Sequence, residues 1–230
     1  MTGARKLCLT LKPASERQLD RAIGDALLKK PDFIELRLDG MPIREIPKAV
    51  QRVHRVMGRT ILTLRSKEEG GDYAGSDSER KEIIESLLAE KFKLLDVEWS
   101  FYSRNKKFVG ELRDAKIPII ASYHNFYTTP SKRVLQNLFE EMSGVGKVVK
   151  IVTMANAPSD NLKIMGLYQD NPKRDDLLAF AMGGYGQMSR IMSITSYNAP
   201  FAYCSVGKPV APGMMGIGEM RSILRAIPRP

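Results

Sequence analysis

The chain of 230 residues is 43% hydrophobic and carries 36 Lys and Arg against 26 Asp and Glu, a formal charge of +10. This length and apolar content suit one large domain over residues 1–230 with a sizeable core, and no stretch approaches the ~18 consecutive apolar residues of a membrane span. The positive balance suits nucleic acid or an anionic metabolite, but the cations are scattered and no zinc-finger or RNP-type signature occurs, so nucleic-acid binding is not expected.

Met1 to Arg5 lack the apolar core of a signal peptide and lead straight into Leu7-Cys8-Leu9-Thr10-Leu11. Cys8 and Cys204 sit in apolar, strand-like surroundings and read as buried thiols of a reducing compartment rather than a disulfide. A cytoplasmic chain is therefore expected. Strands are predicted near 6–11, 33–39, 60–65, 93–98, 117–123, 147–153, 177–182 and 201–205. Between and after them, helices fit near 15–29, 43–57, 77–91, 101–115, 131–143, 159–169, 187–193 and 216–226. Ser15 before Glu16, and Ser131 after Pro130, are helix-start signals. This repeated βα pattern predicts parallel strands covered by helices. Eight such units favour an α/β fold closed into a single (β/α)8 TIM barrel, with an open doubly wound sheet as the alternative.

Side chains alternate faces along a strand. The second predicted strand sets Ile34, Leu36 and Leu38 against Phe33, Glu35, Arg37 and Asp39. The third sets Leu62 and Leu64 against Thr63 and Arg65, and the fourth sets Leu95 and Val97 against Asp96 and Glu98. The fifth sets Ile119 and Ala121 against Ser122 and His124, and the sixth sets Val149 and Ile151 against Lys150. In a barrel the apolar parity packs on the outer helices, and the polar parity converges at the C-terminal mouth. A half-exposed antiparallel sheet would alternate in the same way, but the long helical connections argue against it.

Two of these residues suggest chemistry. Lys150 lies inside the apolar run Val148-Val149-Lys150-Ile151-Val152, where a charged ammonium is costly unless it is paired or shifts its pKa. A lysine driven towards neutrality attacks a ketone or aldehyde to give a Schiff base. His124, one of two histidines, ends a strand and is suited to proton transfer. The plainer alternatives are a salt-bridged lysine and a structural histidine. His54 lies in a basic helical stretch and reads as a surface residue. Gly184-Tyr185-Gly186-Gln187-Met188-Ser189 superficially resembles a nucleotide loop, but it lacks the βαβ context and the spaced acid of a dinucleotide site. The combination points to a lyase acting on a small carbonyl compound, with no metal or organic cofactor.

The segments Glu35-Leu-Arg37-Leu-Asp39, Thr63-Leu-Arg65-Ser-Lys-Glu-Glu69-Gly-Gly, Asp96-Val-Glu98, Ser122-Tyr-His124-Asn-Phe126, Val149-Lys150-Ile151 and Met182-Gly183-x-x-Gly186-x-x-Ser189-Arg190 occur in one order along nearly the whole chain. Each is weak alone. The ordered set resembles type I 3-dehydroquinate dehydratases. The resemblance implies a TIM barrel that dehydrates 3-dehydroquinate to 3-dehydroshikimate through a Schiff base on Lys150, with His124 as general acid and base. It also implies that Arg190 clamps the substrate carboxylate and that Glu35, Arg37 and Arg65 hold ring hydroxyls. Glu69 is placed near the histidine, and a homodimer is the family-level expectation. Asp39, Asp96 and Glu98 are read mainly as counter-charges to the arginines and lysine.

The match departs in the loop after the eighth strand, Gly207-Lys208-Pro209-Val210-Ala211-Pro212-Gly213-Met214. The family usually has Gln where Met214 stands and often Ser where Val210 stands, so two substrate hydrogen bonds are lost. At about 0.5–1.5 kcal/mol each, binding is expected to weaken by roughly 1–3 kcal/mol. Two other functions stay open on the sequence. A class I aldolase-like barrel would bind a sugar phosphate through amides at a helix N-terminus after strands 7–8, and a non-catalytic basic module would bind nucleic acid.

Overall fold

The computed structural model describes residues 5–228. The elements run β1 (Leu7–Leu11), α1 (Glu16–Leu28), β2 (Phe33–Arg37), α2 (Ile46–Arg52), β3 (Thr60–Thr63), α3 (Asp77–Leu87) and β4 (Leu94–Glu98). They continue with α4 (Trp99–Arg104), α5 (Lys106–Asp114), β5 (Ile119–His124), α6 (Lys132–Met142), β6 (Val148–Met154), α7 (Asp160–Asp170), β7 (Leu177–Met182), α8 (Gln187–Thr195), β8 (Ala202–Cys204) and α9 (Ile217–Ala226). Every ladder is parallel, in the order β7-β6-β5-β4-β3-β2-β1-β8. This is the expected eight-stranded barrel, and it excludes both the antiparallel and the doubly wound alternatives.

Among the described residues no backbone ladder joins β7 to β8. Side chains and loops close that seam. The Phe180 and Tyr203 rings meet edge to face at 6.4 Å, and the Gly183 amide donates to the Pro212 carbonyl at 3.2 Å. Gly213 has φ +69, and a Cβ there would collide with the Gly183 carbonyl. Glycine is therefore required where the two loops cross.

The helices cover the outside by apolar stripes at helical spacing. Leu19, Ile23 and Ala26 are buried on α1, and Leu135, Phe139 and Met142 on α6. Ser15 and Ser131 are the N-caps, accepting from the Gln18 and Val134 amides. Cys8 and Cys204 are buried free thiols.

Four segments differ from the sequence expectation. The helix expected over 43–57 is a 3-10 turn (Ile43–Glu45), the short α2, and a second 3-10 segment (His54–Arg59). Pro47 fixes the start of α2, and the Thr60 hydroxyl donates to the Val56 carbonyl at 2.8 Å, tightening the turn into β3. The helix expected over 101–115 breaks at Asn105, whose amide donates to Asp77 and to the Phe101 carbonyl. The second strand stops at Arg37, not 39, because Leu38–Gly40 form a 3-10 turn that brings the Asp39 carboxylate to the Arg65 and Asp72 amides. The third strand likewise stops at Thr63.

Candidate active site

A cavity partly open to solvent lies at the C-terminal ends of the strands. Glu35, Arg37, Arg65, Glu69, His124, Lys150, Arg190 and Met214 all line it. The eight residues singled out in the sequence therefore meet in one place. Glu35, Arg37, His124 and Lys150 do so from inward positions on parallel strands, which face each other across the barrel, and Arg65, Glu69, Arg190 and Met214 from the segments that follow the strand ends.

Lys150 reaches the cavity from the middle of β6. Its Nζ donates to Asp96 Oδ2 at 3.1 Å, lies 3.7 Å from Glu35 Oε1, and sits 4.3 Å above the centre of the Tyr203 ring. Pairing therefore accommodates the buried amine. Glu35 is fixed in turn by the Thr10 hydroxyl at 2.8 Å and the Thr63 hydroxyl at 3.0 Å. Asp96 also accepts from Ser122 at 2.6 Å and from Arg65 at 2.8 Å. Burial raises the pKa of Asp96, but Arg65 and then Lys150 outweigh it and hold this carboxyl at about 2.

Arg65 is the hub of the charges. Its Nη1 contacts Glu98 at 3.0 Å, Ser122 at 3.1 Å and Glu69 at 3.3 Å, while Nη2 takes Asp96. Burial works against its charge, but Asp96, Glu98 and Glu69 keep its pKa above the ordinary arginine value. Glu98 also holds Arg80, a buried arginine of α3, at 2.7 Å. Arg37 makes a two-pronged pair with Asp39, at 2.7 and 2.9 Å. Asp39, Asp96 and Glu98 thus each neutralise a cation.

His124, at the end of β5, places Nδ1 3.0 Å from Glu69 Oε2. Burial, then Arg65 and Lys150, push its pKa well below 6.5. Burial also raises Glu69 to about 7, despite Arg65 opposing it. With Glu69 ionised, the proton of a neutral imidazole sits on Nδ1, which leaves the Nε2 lone pair as a base. The Ser100 hydroxyl donates to the other Glu69 oxygen at 2.8 Å.

The opposite wall is different. Phe180, Met182, Val210 and Met214 make it largely apolar. Arg190, from α8, is buried over the Phe180 ring at 4.2 Å. It makes no salt bridge among the described residues, and its Nε lacks a hydrogen-bond partner; Nη2 has only the Pro212 carbonyl at 3.3 Å. Burial lowers its pKa to about 10. A buried guanidinium without an acid is a ready receptor for a carboxylate.

Sequence reasoning did not single out Tyr203, Ser100 or Arg80 for the site. Tyr203 could have been found by extending the inward parity to β8. Arg80 and Ser100 give no such signal, because they lie on helices and act through acids on neighbouring elements.

The model of the family described as type I 3-dehydroquinase matches residues 7–229. The chain belongs to this family. A 3-dehydroquinate dehydratase of Pyrococcus abyssi is 38% identical over 211 residues, covering 91% of this chain and 94% of that one. The family's solved structures superpose over almost the full length. The enzyme from Aquifex aeolicus VF5 gives a TM-score of 0.80 at 27% identity, covering 98% of this chain and 100% of that chain. The enzyme from Geobacillus kaustophilus gives 0.86 at 21% identity, covering 96% and 90%, a likeness of fold.

Proposed function

We propose that the chain, acting as one catalytic unit, dehydrates 3-dehydroquinate to 3-dehydroshikimate in the shikimate pathway. One observation carries the proposal. Among the described residues, the only lysine lining the cavity shares it with a histidine whose Nδ1 is held by a carboxylate and with an arginine that lacks an acid.

Arg190 takes the substrate carboxylate and turns the ring so that the C3 ketone meets Lys150. The amine adds to the carbonyl carbon, and loss of water leaves an iminium. Asp96 and Glu35 lie beside that nitrogen and stabilise its positive charge. The iminium draws electrons from the adjacent C2–H bond. His124 removes that proton through Nε2 and the electrons pass to nitrogen as an enamine, which then expels the C1 hydroxyl, forming the C1–C2 double bond and restoring the iminium. Protonated His124 returns its proton to the leaving oxygen, so one water is released. Water then hydrolyses the iminium and frees Lys150. The electron sink is the lysine itself, so the scheme calls for no metal or organic cofactor. Glu69 orients the imidazole, and Arg37, Glu35 and Arg65 surround the ring hydroxyls. A cytoplasmic homodimer whose partner is this small anion, and not nucleic acid or membrane, completes the proposal. No helix among the described residues is long and apolar enough to cross a membrane.

The enone product absorbs in the ultraviolet, which gives a direct assay with purified protein and 3-dehydroquinate. Wild type is expected to turn over, and Lys150→Ala is expected to show no turnover. His124→Ala is expected to lose efficient elimination; full activity in that variant would refute the acid–base role. A sugar-phosphate aldolase is the competing enzyme. It is disfavoured because the anion receptor is the Arg190 side chain, and aldol cleavage with no dehydration would establish it instead.

A further inference from the structure

We propose that Ser100 is a positioning residue that holds Glu69 in register with His124. This inference rests on the proton-transfer role given to His124 above. Ser100 lies in the first turn of α4, directly after the last residues of β4, and is not among the residues lining the cavity. It therefore acts through its neighbours and not on the substrate.

The geometry divides the two oxygens of Glu69. Oε1 accepts from the Ser100 hydroxyl at 2.8 Å, while Oε2 faces His124 Nδ1 at 3.0 Å and Arg65 Nη1 at 3.3 Å. With Oε1 pinned from α4, the carboxylate cannot turn without breaking that bond, and Oε2 stays on the imidazole. The Glu69 carbonyl end of the site is otherwise a tight 3-10 turn (Lys67–Glu69) ending in Gly70, so the side chain depends on such contacts for its aim.

The bond also affects ionisation. A hydroxyl that donates to a carboxylate favours its charged form. The titratable groups around Glu69 are Arg65 just after β3, Asp96 and Glu98 on β4, and the imidazole of His124 on β5. Only Arg65 among these favours the ionised carboxylate strongly, and it is shared with Asp96 and Glu98. Apart from His124 itself, Ser100 is thus the donor of Glu69 not drawn towards another acid. Because Glu69 titrates near neutrality, losing this donor changes how much base is available at working pH.

Ser100→Ala tests the proposal through the pH profile of kcat/KM. Losing one such bond is worth about half to one pKa unit. The acidic limb is expected to move up by that amount, giving roughly a 3- to 10-fold deficit one unit below it, with activity near wild type on the alkaline plateau. Ser100→Thr keeps the hydroxyl and is expected to restore the limb. A Ser100→Ala profile that superimposes on wild type, or that falls by one factor at every pH, would overturn the proposal. Borohydride trapping on Lys150 in the same variant separates the two levels. An adduct with an unshifted profile removes the Ser100 role alone, whereas no adduct even in wild type removes the Schiff-base reading beneath it.

Discussion

Replacing Arg190 with Met is expected to move stability and binding in opposite directions. The guanidinium is buried, lies against Phe180, and has no acid beside it among the described residues. Burial lowers its pKa from 12.5 to about 10. At 1.36 kcal/mol per unit, keeping it charged costs the folded state about 3 kcal/mol near pH 7, an order-of-magnitude figure. The sign follows from linkage. A base whose folded pKa is depressed destabilises the fold at pH values where the unfolded chain holds it protonated. Methionine matches much of the stem volume and removes that cost, so the Arg190→Met protein is expected to unfold at higher urea concentration or higher Tm. The substrate carboxylate loses its receptor in the same variant. Truncating one member of a buried, charge-assisted pair costs about 2–5 kcal/mol, a rise in KM of roughly 30- to 5,000-fold. Urea unfolding without ligand, and initial rates by enone absorbance, measure the two arms. A variant that is less stable than wild type, or one that keeps the wild-type KM, would refute the assignment of Arg190 as an unpaired anion receptor.

Three further outcomes follow from the same network. Arg80→Met removes the partner that Glu98 holds at 2.7 Å but leaves it Arg65 at 3.0 Å, and is expected to cost about 1.5–3 kcal/mol in urea unfolding, the range of one charge-assisted hydrogen bond; a loss under 1 kcal/mol would contradict this. Asp96, held at about 2, stabilises the fold fully above pH 3.8. That share, about 2 kcal/mol, is lost as pH falls through 2, so Asp96→Asn should flatten stability across this window and an unchanged slope would count against the pairing. Met214→Gln returns hydrogen-bonding capacity to a residue that lines the cavity; KM is expected to fall, and a KM that stays level or rises would contradict the expectation that Met214 costs a substrate hydrogen bond.

The barrel and most of the cavity were legible because a strand repeats every two residues. Glu35, Thr63, Asp96, Ser122 and Lys150 stand on the polar parity of five successive strands, and parallel pairing carries that parity to one interior. The partners of these residues were not legible. Lys150 Nζ meets Asp96 from 54 positions away, and Arg65 meets Asp96 from 31. Such contacts depend on sheet register, which a single strand does not encode. Nothing in the predicted helix over 77–91 marks Arg80, yet it is buried between Glu98 and the Phe101 ring. The helix break at Asn105 was also hidden, because it depends on the tertiary hydrogen bond to Asp77, 28 positions away, and not on local propensity alone. The seam between β7 and β8 needed the crossing of two glycine loops that are 30 residues apart in sequence, at Gly183 and Gly213.

The central claim is that the amine of Lys150 bonds covalently to the substrate. Incubating the protein with 3-dehydroquinate and borohydride, followed by peptide mass mapping, tests it most directly. The expected result is a substrate-dependent mass increase confined to the peptide that holds Lys150. An active protein with no adduct, or with the mass on another lysine, would contradict the account.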